Sequence, residues 1–314
     1  MEENKKLIIT YFAHVTNKNR ENDEDILQAL KKLGHKVYAI DDRNFDHQKV
    51  VDTANKSDLF LFHKGGINED SLLEQEVTLM NLQNMLKDIK CKKAFWYVDK
   101  VYQGRERWIS AISPLVNAGF LVDETFLRRR KYPNLYSLKQ GCSIKPLKGK
   151  KNPIYECDIA FIGSVYSEPR KMFVKEMSKR YGDKFRVYTD VHGQDFADLC
   201  VSAKMIISPD YPIDDFYWGD RIYRVCAAGG LMVHPNSYGL KDQGFKTGYN
   251  FIGYTDWCDL TEILDYFLSD KMKKVRKEIA KRGKELVVEK YNYVELCKIY
   301  DSWIWSNWSF SKVS

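Results

Sequence analysis

The sequence predicts an α/β protein of two Rossmann-like domains with parallel sheets, and three observations carry that prediction. Short apolar runs rich in Ile, Val and aromatics alternate with helical patterns through the first half of the chain. Composition shifts to Lys, Pro and Gly around 145–153, and a second alternating series starts at Asp158 and runs into a helical C-terminal third. Strands separated by helical patterns imply βαβ units and a parallel sheet. A length of 314 residues accommodates two such domains, and 44% hydrophobic with 14% aromatic content supplies a core for each.

In the first domain, residues 7–12 form an apolar run that reads as a buried parallel strand. A polar loop follows, then Ile26, Leu30 and Leu33 at helical spacing, with Gly34 as the C-terminal cap. Residues 36–40 and 58–62 read as the next two strands, the latter running into a tight turn at 63–66. A longer helix over about 70–89 leads to the strand 93–98, and residues 119–122 and 134–138 are shorter strand candidates. The domain spans 1–146.

The second domain, 147–290, opens after the linker with a strand at 158–164 that ends on Gly163-Ser164. A helix near 170–181 and strands at 185–188, 203–208 and 231–234 follow. The remaining helices are 260–268, 271–289 and one from 293. That last one belongs to a C-terminal segment, 291–314, expected to pack back on the first domain. Its Trp303, Trp305 and Trp308 are expected to lie against a domain surface rather than stack on bases.

Composition excludes several classes. No apolar run approaches the ~18 residues a bilayer span needs, and the first residues show no signal-peptide pattern. A cytoplasmic protein is expected. Seven cysteines stand singly with no Cys-x-x-Cys, and six histidines show no ligand spacing, so no metal site is expected. The formal charge of +7 is mildly basic and suits an anionic ligand or polymer. There is no Gly-x-Gly-x-x-Gly after the first strand, no P-loop and no Gly-x-Ser-x-Gly elbow, which disfavours nicotinamide oxidoreductases, P-loop NTPases and α/β-hydrolases.

The stretch 218–233 is the most informative. Asp220, Arg221, Tyr223 and Arg224 precede a Gly229-Gly230 pair and the strand-like Leu231-Met232-Val233. In a helix, Asp220, Arg221 and Arg224 fall on the first turn and a half, among free amides and positive partial charge. Cations are unfavourable there. Either a local carboxylate (Asp214, Asp215 or Asp220) pairs with them, or a phosphate binds amides and guanidinium groups together.

Open α/β sheets bind ligands outside the carboxyl ends of their strands. Gly163 and Ser164, with Arg170 and Lys171 a turn later, let a backbone approach a diphosphate and neutralise it; an ordinary tight turn beside a basic helix face is the alternative. His14, His63 and Asp99 each follow a first-domain strand. Asp99 is placed for general base work and His14 for a substrate hydroxyl, against caps or surface charges as the alternative. Arg128, Arg129 and Arg130, flanked by Phe126 and Tyr132, suit a polyanionic acceptor or a plain solvated face.

Residues 159–164 with Arg170, and above all residues 220–230, resemble the GT-B glycosyltransferases of the spore-maturation (CgeB-like), group 1 type. The segment 238–242 and the late helix 275–291 fit the same pattern, so the resemblance covers about 157–300. It implies two facing Rossmann-like domains, the C-terminal one holding a nucleotide-sugar donor and the N-terminal one, with His63 and the Arg128–Arg130 run, the acceptor. It further implies no bound metal, a UDP-sugar as co-substrate, and Gly163, Ser164, Arg170, Lys171, Asp220, Arg221, Tyr223, Arg224 and Asp242 around the donor. Asp99, then His14, are the implied bases if the reaction inverts. Related retaining enzymes carry a ribose-binding Glu where this chain has Arg224, and Phe216 stands eight residues earlier in place of its partner. Asp242 or Asp220 would then have to read the ribose. Modified DNA is one acceptor the resemblance admits, and a nucleotide-sugar-binding module without catalysis is the alternative function.

Overall fold

The computed structural model describes residues 6–15, 21–64, 72–209 and 213–308. They group into two compact units, one of Met1–Gln140 with Tyr293–Ser314 and one of Gly141–Asn292. The turn at Gly65-Gly66 and the side chains of Trp303, Trp305 and Trp308 lie outside the described residues.

The first unit alternates β1 (Ile8–Ala13), α1 (Glu21–Lys32), β2 (Lys36–Asp41), α2 (His47–Ala54), β3 (Leu59–Lys64), α3 (Leu72–Asp88), β4 (Lys92–Tyr97), α4 (Gln103–Ile112), β5 (Ala118–Leu121), α5 (Glu124–Arg129) and β6 (Leu135–Ser137). All pairings are parallel, in the order β2-β1-β3-β4-β5-β6. Strands covered on both faces should read as continuous apolar runs, and β1 and β5 are buried almost throughout while edge strand β2 is not. One face of the sheet packs a ladder of rings, Phe60 on Phe62 at 5.7 Å and Phe62 on Phe95 at 5.6 Å, capped by Trp108. Gly34 adopts φ +92° just after α1, as its place behind Leu33 predicts. The chain steps from β1 outward to β2 and then crosses to β3, so the strand order reverses beside β1. His14 and His63 close β1 and β3 at that reversal.

Helix α11 (Tyr293–Trp308) belongs to this unit. It lies along α1, with Tyr293, Leu296 and Cys297 buried and the Tyr293 ring 5.9 Å from Trp96.

The second unit runs β7 (Ile159–Ile162), α6 (Glu168–Tyr181), β8 (Phe185–Tyr188), α7 (Gly193–Ser202), β9 (Met205–Ile207), α8 (Arg221–Ala228), β10 (Met232–Pro235), β11 (Ile252–Tyr254), α9 (Trp257–Leu268) and α10 (Lys273–Lys290). Its parallel sheet has the order β11-β10-β9-β7-β8. Again the order reverses beside the first strand, between β7 and β9. The Lys/Pro/Gly segment before β7 is laid along α7: Lys150 N donates to Asp198 at 2.8 Å and Asn152 N to the Ser202 hydroxyl at 2.9 Å.

Helix α8 buries Ile222, Tyr223, Val225, Cys226, Ala227 and Ala228, which leaves Arg221 and Arg224 on its remaining face. Gly229 ends it at φ +92°, a left-handed conformation that costs glycine no Cβ clash. Helix α10 packs on α8, and Gly283 permits the approach: a Cβ there would lie 2.4 Å from the Asn250 carbonyl oxygen.

Candidate functional site

A cavity of about 660 Å³ opens at the carboxyl ends of β7 and β8 and the start of α8, next to the point between β7 and β9 where the strand order of the second unit reverses. That is where open α/β sheets hold ligands, and the volume suits a nucleotide-sized one. Its wall is Gly163 to Tyr166 after β7, Thr189 to His192 after β8, Phe196 on α7, and Arg221 and Arg224 on α8.

Arg221 is the centre of the arrangement. Its Nη1 donates to the Ser208 hydroxyl, just past β9, at 3.0 Å. The guanidinium lies over Gly163, whose φ is +144°. A Cβ at that position would sit 2.5 Å from Nη1, so the glycine makes room for the arginine. One turn on, Arg224 lies 4.9 Å from the centre of the Phe196 ring and 3.7 Å from the Asp220 carboxylate. Arg170 donates to the Ser164 hydroxyl at 3.1 Å and to its carbonyl at 3.3 Å, pinning the loop after β7. The Arg221 and Arg224 guanidinium groups and the first turn of α8 thus border one concave space, while Arg170 holds the Ser164 that lines it. Their positive field favours a multiply charged anion, since guanidinium forks match phosphate oxygens. Of these two arginines, Arg224 has its carboxylate in Asp220, while Arg221 is turned into the cavity wall.

The remaining second-unit residues separate from this group. Lys171 is exposed and pairs with Glu168 at 2.6 Å. Tyr223 points the other way, fully buried against Phe245 and Tyr291, with its hydroxyl receiving the Trp218 indole N–H at 2.9 Å. Burial pushes the Tyr223 phenol well above its ordinary pKa, against the smaller effect of that hydrogen bond. It is a core residue of α8 and not a wall of the cavity. Asp242 is exposed in the turn after Leu240, away from the lining.

Two wall residues escaped the sequence reading. Asp190 holds φ +56°, the one non-glycine positive φ among the described residues, and its carboxylate bonds His192 Nε2 at 2.9 Å. Both lie in the loop that follows β8, at the carboxyl end of a strand, where polar residues are the first site candidates.

In the first unit, His14 Nδ1 lies 3.5 Å from Asp42 after β2, with the imidazole largely buried. His63 lies within β3, one residue before its end rather than after the strand, and meets the Asp23 carboxylate of α1 through Nδ1; both residues are buried. Asp99, two residues past β4, is paired with Arg105 of α4 at 3.3 Å. That partner also faces Tyr97, whose phenol is raised chiefly by burial. Arg128 is clamped to Glu124 at 2.6 Å and Arg130 to Glu106 at 2.9 Å, and Arg128, Arg129 and Arg130 are all exposed. The structure therefore joins Gly163, Ser164, Arg170, Asp220, Arg221 and Arg224, and leaves Lys171, Tyr223 and Asp242 outside. Among the described residues, no three His, Cys, Asp or Glu side chains are grouped to hold a metal ion. No helix among them is long and apolar enough to cross a membrane.

Residues 144–298, just under half of the chain, match the family model described as Glycosyl transferase-like. By sequence the chain matches no curated protein. Solved structures share its fold. An α-glucosyltransferase in complex with UDP-glucose and DNA containing an abasic site aligns at TM-score 0.68 and 11% identity, over 96% of this chain and 100% of that one. HepE of Anabaena, in complex with UDP and glucose, aligns at TM-score 0.65 and 12% identity, over 95% of this chain and 100% of that one. A glycosyltransferase of Rickettsia africae aligns at TM-score 0.64 and 13% identity, over 96% and 98%. Two parallel sheets with flanking helices, in the arrangement these proteins share, make the fold GT-B.

Proposed function

We propose that the chain is a glycosyltransferase that takes a sugar from a nucleoside-diphosphate donor, a UDP-sugar first, and passes it to a hydroxyl acceptor. The observation that carries this is the Arg221 guanidinium lodged over Gly163 in a nucleotide-sized cavity that Arg224 also lines, with Arg170 bonded to the Ser164 of its wall. Transfer breaks the bond between the anomeric carbon and the diphosphate oxygen, so negative charge builds on the leaving diphosphate. Arg221, Arg224 and the first-turn amides of α8 would meet that charge with dipoles and cations already in place. The UDP and UDP-glucose in the neighbouring structures support the choice of nucleotide. Within the glycosyltransferases, the resemblance of residues 220–230 supports the spore-maturation (CgeB-like) group as the subtype. Seven free thiols, four of them buried, suit a cytoplasmic setting.

The acceptor's proton needs a base, and the first unit offers three groups at strand ends. We put His14 ahead of Asp99, because Asp42 orients its imidazole whereas Arg105 already occupies one oxygen of Asp99. His63, backed by Asp23, is assigned to holding the acceptor. Among polymers, DNA is the acceptor to try first, since one neighbour is bound to DNA containing an HMU base. Binding of such a duplex should weaken steeply as salt rises.

The test is Arg221→Ala. Donor turnover should fall on the order of a hundredfold with the melting temperature little changed. Normal turnover in that variant would remove the arginine from the reaction. UDP-sugar binding with no turnover across a broad panel of hydroxyl acceptors would leave a binding module of the same fold.

A further inference from the structure

Among the described residues, Asp190 is the sole acidic side chain in the wall of the second-unit cavity, whose cationic groups are Arg221 and Arg224. A diphosphate needs no carboxylate and is repelled by one, so this group has to serve another part of the ligand. Three observations fix which part. Asp190 follows β8, the strand next to β7 on the outer side, just as Gly163 follows β7. In βαβ nucleotide sites the phosphates lie at the end of the first strand, and an acidic residue past the second strand accepts the ribose hydroxyls. The backbone at Asp190 is left-handed at φ +56°, a conformation that Asp tolerates better than most residues. It turns the chain so that Asp190 and His192 point together, joined at 2.9 Å. His192 also leads into α7, which contributes Phe196 to the same wall.

We propose that Asp190, oriented by His192, is the ribose-reading residue of this site, accepting hydrogen bonds from the 2′- and 3′-hydroxyls of the donor nucleotide. The inference rests on the donor reading of the cavity. It also supplies what the sequence lacks at Arg224. Asp220 is turned to Arg224 and Asp242 is outside the cavity, so among the described residues Asp190 is the carboxylate in the cavity wall.

The experiment is calorimetric titration of the full chain with UDP, 2′-deoxy-UDP and 3′-deoxy-UDP, using wild type, Asp190→Gly, Asp190→Asn and Arg221→Ala. Glycine accepts the left-handed backbone without strain, and asparagine keeps the shape of the side chain. In wild type each missing hydroxyl should weaken binding roughly tenfold to a hundredfold, as for hydrogen bonds to a charged group. In Asp190→Gly, UDP itself should weaken by about that factor, and discrimination against the deoxynucleotides should shrink to about twofold or less. Asp190→Asn should fall between. Arg221→Ala should weaken all three ligands alike and keep the wild-type ratios. Wild-type ratios preserved in both Asp190 variants overturn the ribose assignment while leaving the donor site standing. Failure of wild type to bind any of the three overturns the donor reading and this assignment together.

Discussion

At Gly163 a single missing Cβ decides where a guanidinium can lie. Gly163→Ala would meet Arg221 Nη1 at 2.5 Å and would also strain a backbone at φ +144°. The expected outcome is loss of UDP affinity comparable to that of Arg221→Ala, on the order of tenfold to a hundredfold, with a lower melting temperature in addition. Calorimetry and thermal unfolding on the same sample check both parts. Glu124 allows a different kind of test. Burial alone would raise its pKa, but Arg128 and the buried Lys139 outweigh that and hold it below the usual carboxylate value. A depressed folded pKa contributes stability that is present above the unfolded pKa of about 4.3 and is lost as pH falls through the lower, folded value. Glu124→Gln should therefore lower stability at neutral pH, where the wild-type pairs are intact, and flatten the acid limb of a stability–pH curve below about pH 4.5. An unchanged acid limb would show that the pair with Lys139 does not persist in solution. At this scale Arg221 and Gly163 were legible, because each sits beside a strand end or helix start with a composition that needs explaining. Asp190 was not. A lone acidic residue after a short strand carries no pattern, and its left-handed backbone is visible only in three dimensions.

Elements were legible in proportion to the apolar surface they bury. The runs behind β1, β3, β4 and β7 announce themselves because both faces are covered. Helix α8 did so through Ile222, Val225 and Cys226 on one face and two glycines beyond its end. Helix α2 went unread, being a short helix with one buried face, and α7 opens on a glycine and two polar residues that look like loop. Strand β11 has three residues, too few for a period. The contact between α8 and α10 was equally invisible, although it supports the arginines from behind. Gly283→Ala tests that support. With the Asn250 carbonyl 2.4 Å from the added carbon, α10 must shift, at a cost of about 1–3 kcal/mol. Chemical denaturation should report that loss, and UDP affinity should fall modestly if α8 moves with it. Full wild-type stability would mean the loop at Asn250 gives way freely.

On the scale of the whole molecule, the first unit is built from both ends of the chain and the second from its middle. The sequence showed two alternating series and a change of composition between them. Which unit the composition shift belongs to was settled only by hydrogen bonds of its backbone to α7. The middle unit enters and leaves at one place: Cys142 forms a parallel bridge with Asn292, and its N–H donates to the Tyr291 carbonyl at 2.8 Å. Residues Gly141–Asn292 expressed alone should therefore unfold cooperatively and retain UDP binding, measured by melting and calorimetry. Residues 1–140 alone should not, because Trp96 and α1 would lose Tyr293, Leu296 and Cys297. Aggregation of both pieces would argue against either folding independently. The side-by-side ends at Cys142 and Asn292 also make the middle unit a cassette. Its two ends can be joined and new ones opened in an exposed loop, or it can be exchanged for the corresponding segment of another GT-B protein without stretching the recipient. Nucleotide preference would then travel with the cassette, and acceptor preference would stay with the host.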